Sequence, residues 1–313
     1  MKKILSFIGL LSVLFLVTAC GSKNAQQDTK TSSDKKLKII TTFYPMYDFT
    51  KQVVGDDADV SMLIEAGVEP HDYEPSAKDM AKIQEADVFV YNSNEMETWV
   101  GAVLKNIDTD KVQIIEASKG IKLLDGQHEE EGDEHEGHDH AYDPHVWLDP
   151  VLAKQEVATI TANLTDKFPD KKANFEKNSQ DYQKKLEGLN DDYVSAFKGA
   201  TTRKFVTQHQ AFSYLAHQYD LTQIPISGLN PDQEPTPKEL KQIEDLVKKE
   251  QVSIIYVENI GSAKIAKTIS SATGAELKVL NPLESLSKKD QEAGQDYLSV
   301  MKENLNMLKL TIK

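Results

Sequence analysis

Residues 37–54 read LKIITTFYPMYDFTKQVV, a β-branched run that passes directly into a helical pattern. The run 37–42 predicts a strand, and residues 45–54 predict the helix that follows it and ends at Gly55. The same order of strand and helix recurs along the chain. Alternation of this kind predicts a parallel sheet with helices on its faces, so we expect an α/β fold.

The alternation occupies two regions of the chain. In the first region, further strands are predicted at residues 58–64, 88–91 and 112–115, and further helices at residues 76–84 and 98–106. In the second region, strands are predicted at residues 204–207, 253–258 and 277–280, and helices at residues 212–219, 239–250, 263–272 and 297–310. The chain is long enough for two ordinary domains.

Between the two regions, residues 171–198 carry apolar side chains at intervals of three, four and seven. These spacings place them on one face of a helix. The residues are Phe175, Tyr182, Leu186, Leu189, Tyr193 and Phe197. We therefore expect one long helix that separates two domains.

The N-terminus has the layout of a secretory signal peptide, since two lysines precede an apolar run at residues 4–17. The run is shorter than the ~20 apolar residues of a membrane-spanning helix. It leads into VTAC, which ends at Cys20 and resembles the lipobox of bacterial lipoproteins. We expect cleavage after a signal peptide at residues 1–19 and acylation of Cys20; the alternative is an ordinary signal peptide with a chance cysteine.

Residues 20–36 are too polar to fold and predict a flexible, lipid-anchored tether. A lipid at Cys20 would hold the protein on the extracellular face of the cell membrane. Because Cys20 is the only cysteine, an internal disulfide is excluded. The net charge of −14 argues against nucleic acid as a partner and suits a cation.

Eight histidines lie in three kinds of surroundings. Residues 128–140, here called the His-rich acidic segment, contain only His, Glu, Asp and Gly, with His128, His135, His138 and His140 among them. His217 falls within a predicted helix and is expected to be packed. His71, His145 and His209 lie in loops, in the stretches EPHDYEP (69–75), DPHVWLDP (143–150) and TQHQAFSY (207–214).

Prolines stiffen the backbone on both sides of His71 and His145, and His209 follows a predicted strand directly. In open α/β sheets, ligands bind beyond the carboxyl ends of the strands. We therefore expect these three imidazoles to converge on one cation.

The three stretches closely resemble the histidine motifs of the metal-specific solute-binding proteins of ABC transporters, in particular their zinc branch, the zinc-binding adhesion lipoproteins. The resemblance runs from about residue 37 to the C-terminus. It implies two α/β lobes, joined by a rigid helix, with the metal between them. We assign an N-terminal lobe to residues 37–150, a linker region with the long helix to residues 151–199, and a C-terminal lobe to residues 200–313.

The resemblance also implies a carboxylate as fourth ligand late in the second lobe. The matching stretch is LNPLE (280–284), so we assign Glu284. Glu258 is the rival, although the resemblance gives it a supporting or structural role. Three imidazoles and one carboxylate suit tetrahedral Zn²⁺, whereas Mn²⁺ prefers more oxygen ligands. The manganese branch generally has a glutamate where His209 stands.

The predicted function is that of a monomeric receptor that binds extracellular Zn²⁺ and delivers it to an ABC-transporter permease. Zinc binders of the family often carry a His-rich acidic segment, which we expect to collect Zn²⁺ weakly; the alternative is a solvated loop without a role. The competing functions are a manganese receptor, a zinc hydrolase and an adhesin. Neither H-E-x-x-H nor G-x-S-x-G occurs in the sequence, so we expect no enzyme.

Overall fold

The structure is a computed structural model that describes residues 36–126 and 142–313. The predicted signal peptide, Cys20, the tether as far as residue 35 and the four histidines of the His-rich acidic segment lie outside the described residues. Lys36–Lys313 form one compact unit. In the described ranges, no helix has the length and apolar character needed to cross a membrane.

The first lobe contains a four-stranded parallel sheet in the order β2-β1-β3-β4. Its elements are β1 (Leu37–Thr41), α1 (Tyr44–Val54), β2 (Ala58–Met62), α2 (Ala77–Gln84), β3 (Val88–Tyr91), α3 (Val100–Leu104) and β4 (Gln113–Glu116). All four residues of β3 are buried, as expected for a parallel strand with helices on both faces. The predicted α/β alternation is confirmed here.

The second lobe repeats this topology, with a parallel sheet in the order β6-β5-β7-β8. Its elements are β5 (Lys204–Thr207), α6 (Ser213–Gln218), β6 (Thr222–Pro225), α7 (Pro237–Lys249), β7 (Ile254–Val257), α8 (Lys264–Thr273), β8 (Glu276–Val279), α9 (Lys288–Glu292) and α10 (Tyr297–Leu308). The two-lobed α/β fold predicted from the sequence is therefore present.

Three elements connect the lobes: a 3₁₀ turn (Val146–Leu148), α4 (Pro150–Lys167) and α5 (Lys172–Phe197). The 26 residues of α5 extend about 39 Å at 1.5 Å per residue. All six apolar side chains that predicted this helix are buried. The larger apolar cluster of the protein continues from the first lobe through α5 into the second.

Four elements were absent from the sequence prediction: the 3₁₀ turn, α4, β6 and α9. Helix α4 buries Glu156 and Thr161 beside its apolar residues, which obscures the helical spacing. Strand β6 lies at the sheet edge and ends in Pro225, so its pattern is weak. His217 lies on α6 as predicted, but it is exposed rather than packed, because the buried side of this short helix is formed by its neighbours.

Candidate metal centre

Four side chains from four separate chain segments meet between the lobes. They are His71, His145, His209 and Glu284, all buried, each offering one ligand atom within 4.8 Å of the others. No second group of three or more potential metal ligands is found in residues 36–126 and 142–313. The structure thus brings the three loop histidines together with Glu284, and their role as metal ligands stays a prediction.

Five of the six distances among the four ligand atoms are close to the edges of a tetrahedral zinc site. His145 Nε2 lies 3.2 Å from His71 Nε2 and 3.4 Å from His209 Nε2. Glu284 Oε1 lies 3.3 Å from the Nε2 atoms of His145 and His209 and 3.6 Å from that of His71. Ligands held ~2.0–2.1 Å from a tetrahedral centre are about 3.3–3.4 Å apart. The four atoms therefore suit a small cation with tetrahedral preference.

His145 is held by a polar turn just before the 3₁₀ turn. Asp143 Oδ1 accepts hydrogen bonds from the His145 backbone N–H (2.9 Å) and from Nδ1 (2.8 Å). The Asn92 amide donates to the carbonyl of Pro144 at 2.9 Å. With Nδ1–H bonded to a carboxylate, the Nε2 lone pair faces the centre of the cluster.

His209 is held in the same manner at the end of β5. Its Nδ1 is hydrogen-bonded to the Glu258 carboxylate, which follows β7. Its backbone carbonyl accepts from Thr207 Oγ1 at 2.7 Å and from Gln223 Nε2 at 3.0 Å. Glu258, the rival for the fourth ligand, thus lies behind His209, away from its Nε2.

Glu284 reaches the cluster through a constrained turn after β8. The residue before it, Leu283, is fully buried and has a left-handed φ of 59°. Such a conformation costs a bulky residue about 1–3 kcal/mol and is found where the surroundings enforce it. Here Asn281 Oδ1 accepts from the Leu283 N–H at 2.8 Å, and Asn304 of α10 bonds the Asn281 backbone at both its N–H and its carbonyl.

The electrostatics of the four groups differ. Burial lowers the pKa of His71 to about 4, so this imidazole is neutral at physiological pH. Burial also acts to lower the pKa of His209, but Glu258 and Glu284 outweigh it and raise that pKa well above its usual value. Burial opposes ionisation of Glu284, yet the nearby histidines hold its pKa well below the usual range. Without a cation, His209 and Glu284 therefore form an ion pair.

Two acidic residues beside the ligands received no role in the sequence analysis. Asp143 orients His145, and Glu69 accepts a hydrogen bond from the His71 N–H at 3.2 Å. Burial, followed by the charge of Glu284, raises the pKa of Glu69 to about 8. Both acids stand two positions before a ligand histidine with a proline between, and this shared spacing is the signal that could have identified them.

Residues 39–310 match the ZnuA family, described as "Zinc-uptake complex component A periplasmic". Zinc-binding lipoprotein AdcA of Streptococcus pneumoniae serotype 4 is 49% identical over 314 residues, which are 99% of this chain and 61% of that protein. The high-affinity zinc uptake system protein ZnuA of Bacillus subtilis is 47% identical over 311 residues, 98% of this chain and 97% of that protein. The chain thus spans less than two thirds of the pneumococcal relative and nearly all of the Bacillus one.

Solved structures show the same architecture. The Zn(II)-bound ZnuA-like domain of S. pneumoniae AdcA has a TM-score of 0.76 and 48% identity, covering 88% of this chain and 98% of that one. The laminin-binding protein Lmb of Streptococcus agalactiae, described as bifunctional with adhesin and metal-transporting activity, has a TM-score of 0.78 and 39% identity. That match covers 88% of this chain and all of the other.

Proposed function

Because this chain belongs to the ZnuA family of zinc-uptake components, we propose that it is a receptor that captures extracellular Zn²⁺ and delivers it to an ABC-transporter permease. The observation that carries the proposal is the convergence of four buried ligand atoms, with five of the six distances among them at 3.2–3.6 Å. The zinc-binding names of the AdcA and ZnuA relatives support the same cargo.

In this proposal, Zn²⁺ is bound by the Nε2 atoms of His71, His145 and His209 and by one oxygen of Glu284. The ligand set favours Zn²⁺ over Mn²⁺, since Mn²⁺ prefers octahedral sites rich in oxygen. Glu258 and Asp143 support the site by hydrogen bonding to the Nδ1 atoms of His209 and His145, which fixes these two imidazoles. Outer partners of this kind typically change metal affinity 10–100-fold when removed.

A binding role is favoured over a catalytic one by the closure of the site. Catalytic zinc usually has three protein ligands and an open position for water. Here four protein side chains each offer one ligand atom to the same point, and all four are at least nine-tenths buried. A cation held in this way has no corner left for a water nucleophile, so we propose a carrier and not a hydrolase.

The remaining parts of the proposal rest on the sequence and on the relatives' names. A diacylglyceryl group on Cys20 would anchor the protein to the membrane, and residues 20–36 would let the folded part reach a permease. Stable anchoring needs about two acyl chains, which that group supplies. The protein would act as a monomer, with His128, His135, His138 and His140 collecting Zn²⁺ weakly.

Metal analysis of the purified protein tests the central proposal. Elemental analysis should find one tightly held zinc per chain in a form lacking residues 128–140, and titration should show much tighter binding of Zn²⁺ than of Mn²⁺. Preferential binding of Mn²⁺, or no tight binding of either ion, would contradict it. In cells, deletion of the gene should slow growth under chelation, and added zinc should restore it.

Adhesion is a second candidate, favoured by the likeness to the laminin-binding protein of S. agalactiae. The two functions can be separated by measuring attachment to laminin-coated surfaces. Saturable attachment that persists in a His209→Ala variant without zinc would establish adhesion as independent of metal. Absence of attachment by the wild-type protein would remove this candidate.

A further inference from the structure

The segment that carries His145 is tied to the second lobe on both sides. Two residues before it, the Asp143 carbonyl accepts a hydrogen bond of 2.6 Å from the Tyr214 hydroxyl of α6. Two residues after it, the Trp147 indole N–H donates to the Pro282 carbonyl at 2.8 Å. The Tyr214 and Trp147 side chains are both buried. The position of His145 in the first lobe is therefore set by contacts made in the second.

The Tyr214 hydroxyl joins three parts of the chain. Besides donating to Asp143, it accepts a hydrogen bond of 2.9 Å from the Leu124 backbone N–H. Leu124 and Asp143 are also bonded directly, by the Asp143 N–H and the Leu124 carbonyl at 2.9 Å. Tyr214 itself stands five residues after His209, so the same junction links two ligand segments.

We propose that Tyr214 is a positioning residue of the metal site, acting through the Asp143 carboxylate that orients the His145 imidazole. The Tyr214 hydroxyl fixes the Asp143 backbone, and the Asp143 carboxylate then directs His145 Nε2 toward the other ligands. The ring of Tyr214 is buried, whereas its hydroxyl holds the His145 segment in a fixed position relative to the second lobe. This inference rests on the proposed function, because it concerns the geometry of zinc binding.

The exact position of a side chain matters more at a metal centre than in an apolar core. Metal–ligand bonds have lengths fixed within about 0.2 Å, so a small displacement of one ligand is felt directly in affinity and geometry. Loss of the hydroxyl would leave the Leu124 N–H and the Asp143 carbonyl without this partner and would free the turn before His145. The variant should then lose more free energy of zinc binding than free energy of unfolding in its metal-free state.

The test compares Tyr214→Phe with Tyr219→Phe, a matched control five residues along the chain. Tyr219 is also buried, but its hydroxyl contacts Asn190 Oδ1 at 3.1 Å in α5, away from the site. Tyr214→Phe should weaken zinc binding at least tenfold in chelator competition, in the range known for outer partners of metal ligands. Tyr219→Phe should bind zinc as the wild-type protein does.

The visible absorption of Co²⁺ bound in place of Zn²⁺ gives a readout that a merely structural role would not move. Tetrahedral Co²⁺ absorbs far more strongly than five- or six-coordinate Co²⁺, so a displaced His145 should weaken or shift the bands in Tyr214→Phe only. Unchanged affinity and an unchanged Co²⁺ spectrum in this variant would overturn the proposal while leaving the zinc-receptor function standing.

A double-mutant cycle tests whether the effect passes through Asp143. If it does, Tyr214→Phe should cost much less affinity in an Asp143→Asn background than in the wild type. Equal costs in both backgrounds would overturn the proposed route. No zinc binding by the wild-type protein would overturn the proposed function, and this inference with it.

Discussion

The Gly67 backbone N–H donates a hydrogen bond of 2.8 Å to Ser285 Oγ, joining residues that are 218 positions apart. Gly67 precedes His71 by four residues, and Ser285 follows Glu284 directly. The bond therefore links the first and the last ligand segments in chain order, one from each lobe. Together with the hydrogen bonds on either side of His145, it makes the geometry of the site depend on contacts between the two lobes.

Replacing any one of His71, His145 and His209 with alanine should weaken zinc binding by more than about 100-fold, because removal of an outer partner alone costs 10–100-fold. Glu284→Gln should also weaken it, since the anionic ligand is lost. Chelator competition measures the effect. His217→Ala is the matched control, because His217 is exposed on α6 and should not alter affinity. Wild-type affinity in any ligand variant would remove that residue from the site.

Zinc affinity should rise with pH through neutrality and beyond the ordinary histidine range. The pKa of His209 is held well above its usual value by Glu258 and Glu284, so this imidazole must lose a proton before it can bind the cation. Below that pKa the bound proton competes with zinc, and affinity falls as the pH falls. Calorimetry in buffers of different ionisation enthalpy should detect proton release at neutral pH. A flat affinity between mildly acidic and alkaline pH would contradict this reading.

The buried Asp48 carboxyl should make the metal-free fold lose stability as the pH rises from about 4 to about 7, and Asp48→Asn should reduce that loss. Burial raises the folded-state pKa of Asp48 to about 7. A carboxyl with a raised folded pKa contributes stability fully below its unfolded pKa of about 4, and that stability is lost as the pH rises through the folded value.

Asp48→Asn keeps the shape of the side chain without the charge, including a partner for the Tyr182 hydroxyl, which bonds Asp48 Oδ2 at 2.9 Å. Between pH 5 and pH 8 the variant should gain on the order of 1–4 kcal/mol relative to wild type, at about 1.4 kcal/mol per pKa unit. Thermal or denaturant unfolding at both pH values measures this. Parallel stability curves for the two proteins would show that Asp48 does not titrate in this range.

Cys20→Ser should release the protein from the membrane fraction and leave its zinc affinity unchanged, because the thiol is the proposed point of acylation and lies in a segment predicted not to fold. Membrane fractionation and zinc titration of the same preparation measure the two effects. A variant that still sediments with membranes would refute the lipid anchor at Cys20.

Deleting residues 128–140 should lower the number of zinc ions bound while the tightest binding constant stays within about tenfold, equivalent to ~1.4 kcal/mol. The segment contains no apolar residue and no proline, so ordering it into a fixed cage would carry a large entropy cost. The residues that flank the segment are joined to each other: Asp125 and Tyr142 form an antiparallel bridge, and the Asp143 N–H donates to the Leu124 carbonyl. Collapse of the tight constant would show that the segment supplies a primary ligand.

Much of the fold was predictable because its strands and helices differ in hydrophobic spacing. The all-buried run of β3 and the single apolar face of α5 are signals of local origin, and both appear in the structure where the sequence predicts them. Elements whose burial depends on distant partners were not predictable. Helix α4 covers Glu156 completely, and no local pattern indicates that a glutamate will be buried.

The local sequence shows which side chains are available for a cation and how stiffly their loops hold them. Prolines restrict φ in the immediate backbone, so the stiffness of the loops that hold His71 and His145 can be inferred from EPHDYEP and DPHVWLDP alone. The folded chain was needed to show the distances among the ligand atoms, the pairing of His209 with Glu258, and the contact of Tyr214 with the His145 segment. These relationships join residues that are dozens of positions apart in the chain. Their geometry depends on how the two sheets and α5 pack around a shared core. No local pattern in the sequence encodes that packing.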